Sequence, residues 1–263
     1  MKKIVLYLSF FFLSLLAINA AIAMENVPVE DKILLSIQSS DEEGFSDEIY
    51  EEDEEIKTYK GIPDPLEPIN RVSFQFNDKL YFWLLRPMAK GYGTIVPLGV
   101  RKGIKNFIHN LAFPVRFINC ILQGKFRGAA DEITAFLVNS TVGVGGFVDV
   151  VSHSKTLKIR THDEDLGQTL GRYGIGHGIY IVWPFLGPSS LRDTIGLIGD
   201  GFLDPKNYIL KEFKENVGLR AYKEINDTSL RLGEYEDLKE SALDPYISIR
   251  DAYYQYRKKE VSR

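Results

Sequence analysis

Four histidines, one cysteine and a serine pair are the residues of this chain whose types most often carry chemistry. The histidines are His109, His153, His162 and His177. None belongs to an H-E-x-x-H pair, and no two stand at the helical spacing of metal ligands. Cys120 lies among Phe117, Ile118, Ile121 and Leu122, the setting of a small buried hydrophobe and not of an activated thiolate. A single cysteine also forbids an internal disulfide. Ser189 and Ser190 lie outside any G-x-S-x-G elbow and read as a turn and a helix cap, with Asp193 completing S-x-x-D. His162-Asp163-Glu164-Asp165 has the residue types to hold a cation, but reads as a solvated polar turn. Gly174-x-Gly176-x-Gly178 lacks the dinucleotide spacing, and no phosphate-cradling G-x-x-x-x-G-K-[ST] occurs. No catalytic residue, cofactor or metal is expected, and the lysines and arginines form no cluster suited to nucleic acid. What remains is the chemistry of binding and packing.

The glycines belong to that chemistry. Gly167, Gly171, Gly174, Gly176, Gly178 and Gly187 are interleaved with Tyr173, Tyr180, Trp183 and Phe185. That density of glycine defeats an ordinary helix, and that many rings defeats a flexible linker. The expectation is a turn-rich wall in which backbones approach closely under aromatic side chains. A second glycine element, Gly143, Gly145, Gly146 and Phe147, follows Asn139-Ser140-Thr141. Its apolar residues and glycines predict a tight hairpin whose tip is kept out of water.

Most of the chain from residue 61 onward reads as helix. Val100, Ile104, Phe107, Ile108 and Leu111 form one apolar stripe. Arg101, Lys102, Lys105, Asn106 and His109 form the opposite face. Such a basic amphipathic helix lies in a membrane interface or packs on a soluble core. Ile69 to Leu85 is apolar on two faces, with Phe76, Leu80 and Trp83 on one, and is expected to end at Arg86-Pro87. It is too short and too polar at its start to cross a bilayer, so it lies in one leaflet or packs centrally. Further helices are expected over Pro114–Gln123, stopping at Gly124, and over Arg127–Asn139, with Ala130, Ile133 and Leu137 facing inward. Ser190 caps one carrying Leu191, Ile195 and Ile198, and long polar helices run over Leu219–Leu238 and Asp244–Lys259.

The first 23 residues read as a secretory signal peptide: Lys2-Lys3, an apolar run, then Ala21-Ile22-Ala23, with an uncleaved anchor helix as the alternative. Residues 24–60 form an acidic linker. From Glu25 to Lys60, thirteen acidic residues face three lysines, a net charge of −10. Such a segment is expected to be solvated and disordered, with a docking tail as the other option. The whole chain carries −4 and the leader +2, which leaves +4 on residues 61–263. A mildly basic domain suits an anionic lipid surface.

Several short motifs follow one another in a particular order. Asp64-Pro65-Leu66-Glu67 with Asn70-Arg71 opens it. Arg86-Pro87, Asn106-Phe107, Asn110-Leu111, Pro114, Asn119 and Leu122-Gln123-Gly124 continue. Gly143, Gly145-Gly146-Phe147 and Asp149 come next, then Gly167-Gln168-Thr169-Leu170-Gly171, the G-x-G-x-G-x-Y, Trp183-Pro184-x-x-Gly187 and Leu191-Arg192-Asp193. Asp200-Gly201 and Asp244-Pro245-Tyr246 with Arg250, Ala252 and Tyr253 close it. From Asp64 to Tyr256 this order resembles the MlaA/VacJ family of outer-membrane lipid-transport proteins. The resemblance implies a mostly α single domain on the periplasmic face of the outer membrane. Its helices would form a ring around an amphipathic channel that moves misplaced phospholipid to an MlaC-like periplasmic carrier and preserves lipid asymmetry, with a trimeric porin as a possible partner. It implies that the Gly143–Phe147 element gates the channel. Phe76, Leu80, Trp83, Ile104, Phe107 and Ile108 would meet the membrane interface, and Lys102 and Lys105 a headgroup or the membrane surface. Many family members carry an acylated cysteine directly after the signal peptide; here the only cysteine is Cys120, so association is expected through the protein surface. Two readings from other classes stay open: a secreted hydrolase acting on lipid or cell wall, and a soluble periplasmic interaction protein.

Overall fold

The computed structural model describes residues 64–154, 159–210 and 212–263. The expected signal peptide and acidic linker lie outside the described residues. Within them the expectation of a mostly helical protein holds. Helix α1 spans Glu67–Leu80, and a π-helical turn, Tyr81–Leu85, joins it to α2, Arg86–Ile95. Helices α3 (Leu98–Leu111), α4 (Phe113–Leu122), α5 (Phe126–Thr141), α6 (Val150–His153) and α7 (Leu166–Arg172) follow. Strands β1 (Tyr180–Trp183) and β2 (Gly187–Ser190) precede α8 (Leu191–Leu203), α9 (Lys206–Ile209), α10 (Phe213–Leu230), α11 (Glu234–Ser241) and α12 (Pro245–Ser262).

Arg86-Pro87 does not end the first helix as expected. Proline removes one helical donor and crowds the preceding turn. Here the π-helical turn absorbs it: Arg86 N–H bonds back to the Tyr81 carbonyl and the chain stays helical into α2. The polar helix expected over Leu219–Leu238 is instead two, α10 and α11, broken at Gly233, which has φ +102°. Caps at other ends follow the residue types. Asp165, Ser190 and Asp244 each accept from a backbone N–H of the first turn of α7, α8 and α12, as short oxygen-bearing side chains do at helix starts.

The strands form an antiparallel hairpin in the register Tyr180↔Ser190 to Trp183↔Gly187. Helix α1 grips its edge through two asparagines one heptad apart. Asn70 accepts from Val182 N–H at 2.8 Å and donates to the Tyr180 carbonyl at 3.0 Å. Asn77 accepts from Phe185 N–H at 2.8 Å and donates to the Trp183 carbonyl at 2.9 Å. Side-chain amides thus supply hydrogen bonds that a third strand would otherwise make. Tyr180, Val182 and Tyr246 form a small apolar core here, with Phe74 and Tyr253 packed against it.

The polarity of the packing is the reverse of a water-soluble domain. Among the described residues nine hydrophobic side chains are buried against eighteen polar or charged ones, whereas buried positions are ordinarily apolar. Helix α5 makes the inversion plain. Its buried positions are Gly128, Ala129, Glu132, Ala135 and Asn139. Ala130, Ile133 and Leu137, expected to face inward, face outward, with Ile133 41% and Leu137 54% exposed. The helical period holds but the facing is reversed, because the sequence pattern does not say which side is the solvent.

Glycine spacing in the Gly167–Gly201 region follows from contact between helices. Helices α7 and α8 pack together, and a Cβ on Gly196 would lie 2.3 Å from the Gly167 nitrogen. Only glycine permits that approach.

Candidate membrane and lipid site

The inward polar residues form paired, hydrogen-bonded seams. Glu132 is fully buried and pairs with Arg116 at 2.8 Å; its other oxygen accepts from His162 N–H, and Arg116 also donates to the His109 carbonyl at 2.7 Å. Gln123 and Lys125 both donate to buried Glu164, at 2.8 and 2.7 Å. Asn119 bridges Asp200 and Thr169, each at 2.8 Å. Burial pushes the Asp200 carboxyl up from its ordinary range. Arg257 spans Asp165 (2.6 and 2.9 Å) and Asp193 (2.8 and 2.9 Å), tying α12 to the starts of α7 and α8. Burial alone would raise the Asp193 pKa, but bonds from Arg257, Tyr253 and Arg192 overcome it and bring it down to about 2. The stretch His162 to Asp165 is therefore no solvated turn. Glu164 is buried and Asp165 caps α7, because the interior they face is itself charged and accepts them in pairs.

The glycine element after α5 lies against α3. Phe147 stacks on Phe107 with centroids 4.9 Å apart, and Asn106 donates to the Phe147 carbonyl at 3.3 Å. Asn139 pins the loop at its middle and its far end. Its side-chain oxygen accepts from Val150 N–H at 2.9 Å, and its carbonyl accepts from Gly146 N–H at 2.8 Å. The element is a chain of turns, not the paired hairpin expected. Val144 (φ +52°), Gly145 (+71°) and Gly146 (+93°) are successive left-handed residues and coil the backbone. A β-branched residue in that region is strained. Val142, Val144 and Val148 point outward from it.

The expected interface residues divide. Trp83, 78% exposed, and Phe76 stand outward; Phe107 is partly exposed beside its Phe147 partner; Leu80 and Ile104 are half-buried. Ile108 is 5% exposed and cannot meet a membrane, since the inward turn of α3 that carries it also buries Gly103 and Asn110. Lys102 and Lys105 are exposed. Near them His109 bonds Asp163 at 3.0 Å, and that contact holds the Asp163 carboxyl below its usual range. Outward apolar residues that sequence reasoning missed are Phe126, Ile133 and Leu137 on the α4–α5 side and Phe185 and Leu186 at the hairpin tip. No described helix is long and apolar enough to cross a membrane.

An outward apolar surface over charged inner seams fits contact with a membrane or with another protein. Comparison with known proteins agrees with the first of these. The MlaA lipoprotein family matches residues 62–260. The chain belongs to the MlaA lipoprotein family. The MlaA of Escherichia coli (strain K12), named as an intermembrane phospholipid transport system lipoprotein, is 36% identical over 197 residues, covering 74% of this chain and 77% of its own. The MlaA of Haemophilus influenzae is 33% identical over 201 residues, 73% and 76% of the two chains. An uncharacterised Rickettsia conorii protein is 32% identical over 220 residues, 80% and 86% of the two. A solved structure from work on the structural basis for maintenance of bacterial outer membrane lipid asymmetry superposes with a TM-score of 0.67 at 32% identity, covering 76% of this chain and 99% of that one.

Proposed function

We propose that this chain is an outer-membrane component of intermembrane phospholipid transport that maintains lipid asymmetry. The observation that carries the reading is the inverted packing of a family member: apolar side chains outward, paired charges inward. Phospholipid leaves a bilayer slowly because its chains must meet water, at about 0.8 kcal/mol per CH₂. A protein seated in the periplasmic leaflet lowers that barrier by offering a polar strip to the headgroup and apolar walls to the chains. Its helices form a ring around an amphipathic channel, and the loop containing Gly143, Gly145, Gly146 and Phe147 gates it. Misplaced phospholipid enters headgroup first and leaves to an MlaC-like periplasmic carrier, with a trimeric porin as neighbour. The lipid passes without covalent change.

The test uses the full chain purified in detergent. Mass spectrometry is expected to find intact phospholipid bound, and incubation to release no fatty acid or lysolipid. Steady lysophospholipid production, abolished by one Ser, His or Asp substitution, would overturn transport in favour of a hydrolase. Recovery in the aqueous fraction with no lipid would favour a soluble interaction protein.

A further inference from the structure

Charge pairing is nearly complete in this protein. Among the described residues, every other lysine or arginine that is buried or half-buried has a carboxylate at 3.2 Å or closer. Arg101 has none. It is half-buried where α2, α3 and α10 pack together. Its Nε donates to the Val96 carbonyl at 3.1 Å, and its Nη1 to the carbonyl and hydroxyl of Ser229 at 2.7 and 3.2 Å. Those carbonyls end α2 and α10, so the guanidinium is steered by two helix C-termini. Nη2 donates no hydrogen bond. Asp227, two residues before Ser229, directs one carboxylate oxygen to Lys223 at 2.7 Å and leaves the other, Oδ1, buried without a partner among the described residues.

The surroundings fix this side chain and leave its charge open. Asn226, fully buried, donates to the Arg101 carbonyl at 3.0 Å and accepts from Tyr92, which meets Tyr222 at 3.0 Å. All three are neutral. A Cβ on Gly93 would lie 3.2 Å from Nη1, so α2 is thinned where the guanidinium lies. At the α2–α3 corner Ile95 and Leu98 are exposed. A planar fork of donors with free capacity, beside exposed apolar side chains, fits an anion that carries hydrocarbon.

We infer that Arg101 is the phosphodiester-binding residue of the lipid path, receiving a phospholipid headgroup through Nη2 while Ile95 and Leu98 meet the chains. The inference rests on the transport reading. It moves headgroup recognition from the exposed Lys102 and Lys105 to a residue held in the packing.

The experiment loads the full-length protein in detergent with dioleoylphosphatidylglycerol, with dioleoylglycerol, which lacks the phosphate, or with inorganic phosphate. Retained ligand per protein is then measured. Wild type is expected to retain the phospholipid and neither of the others. Arg101→Gln is expected to lose it about tenfold or more, as for a lost charge-assisted bond, and Arg101→Lys to recover part. Because Arg101→Gln also frees two helix ends, Ser229→Asp serves as the second variant. It keeps the arginine, places a carboxylate beside Nη1 and is expected to expel lipid while the helical circular dichroism spectrum stays at the wild-type level. Phospholipid retention at the wild-type level in both Arg101→Gln and Ser229→Asp would overturn the inference and leave Arg101 a structural cap. Retention of dioleoylglycerol equal to that of phospholipid, or displacement of lipid by inorganic phosphate alone, would overturn phospholipid recognition at this residue. A wild-type protein that retains no phospholipid would overturn the transport reading itself.

Discussion

Gly143 and Gly145 lie two residues apart in the loop after α5 and are glycine for different reasons. A Cβ on Gly143 would lie 2.2 Å from the Val148 carbonyl and 2.4 Å from that of Asn139. A Cβ on Gly145 would meet nothing, and only its φ of +71° resists substitution. Gly145→Ala should therefore cost about 1–2 kcal/mol, a melting shift of roughly 2–8 °C for a domain of this size. If the loop gates the path, it should change outer-membrane permeability at near-normal protein level. Gly143→Ala should lower the protein level itself. Wild-type permeability in Gly145→Ala at normal protein level would deny the loop a gating role. Asp193 gives a second test. Its carboxyl falls to about 2 in the folded chain, against about 3.9 unfolded. A depressed acid contributes stability that is complete above about pH 5 and lost as pH falls toward 2 and below, here about 2–3 kcal/mol. Denaturant unfolding should show that loss in the wild type. Asp193→Asn should be less stable at pH 7 and show a shallower fall below pH 4.

Helix α5 carries the argument at the scale of elements. Its outward Ile133 and Leu137 and its inward Glu132 make opposite predictions. Ile133→Gln with Leu137→Gln should leave the fold intact and weaken retention on phospholipid vesicles, since each side chain contributes about 1.5–3 kcal/mol when buried in an apolar phase. Glu132→Ala should lower stability by about 3–5 kcal/mol, because it leaves Arg116 buried and unpaired. Unchanged vesicle retention in the double glutamine variant would remove α5 from the membrane surface. The same helix explains what was legible in sequence. Period and caps gave α3, α4 and α5 to within a residue or two, since apolar spacing and Pro97 and Gly124 act locally. The facing of α5 was not legible, because inward and outward exchange meaning when lipid replaces water. The run through Arg86-Pro87 was hidden as well: a π-helical turn leaves no mark in apolar spacing. At the site, Lys102 and Lys105 were visible as a basic face. Arg101 differs from them only through Val96 and Ser229, the latter 128 residues away, and no periodicity reports that.

For the molecule as a whole, the ordered motifs from Asp64 to Tyr256 said more than any single element, and they coincide with the family match over residues 62–260. The domain boundary can be argued from its first described residues. Asp64 accepts from Asn70 at 2.8 Å and from the Tyr246 hydroxyl, joining the start of α1 to α12. Arg71 adds a pair to Asp244 at 2.9 Å. Among the described residues, contacts of Asp64 and Arg71 thus tie the start of the chain's helices to α12. Residues 25–60 hold ten more acidic than basic side chains, a composition with little to bury. Deleting residues 26–58 should therefore leave the helical circular dichroism spectrum unchanged, the melting temperature within about 2 °C and bound phospholipid at the full-length level. A truncated protein that fails to fold would place the acidic segment inside the domain. One that folds but carries no lipid would make the segment part of the lipid path and necessary for retention.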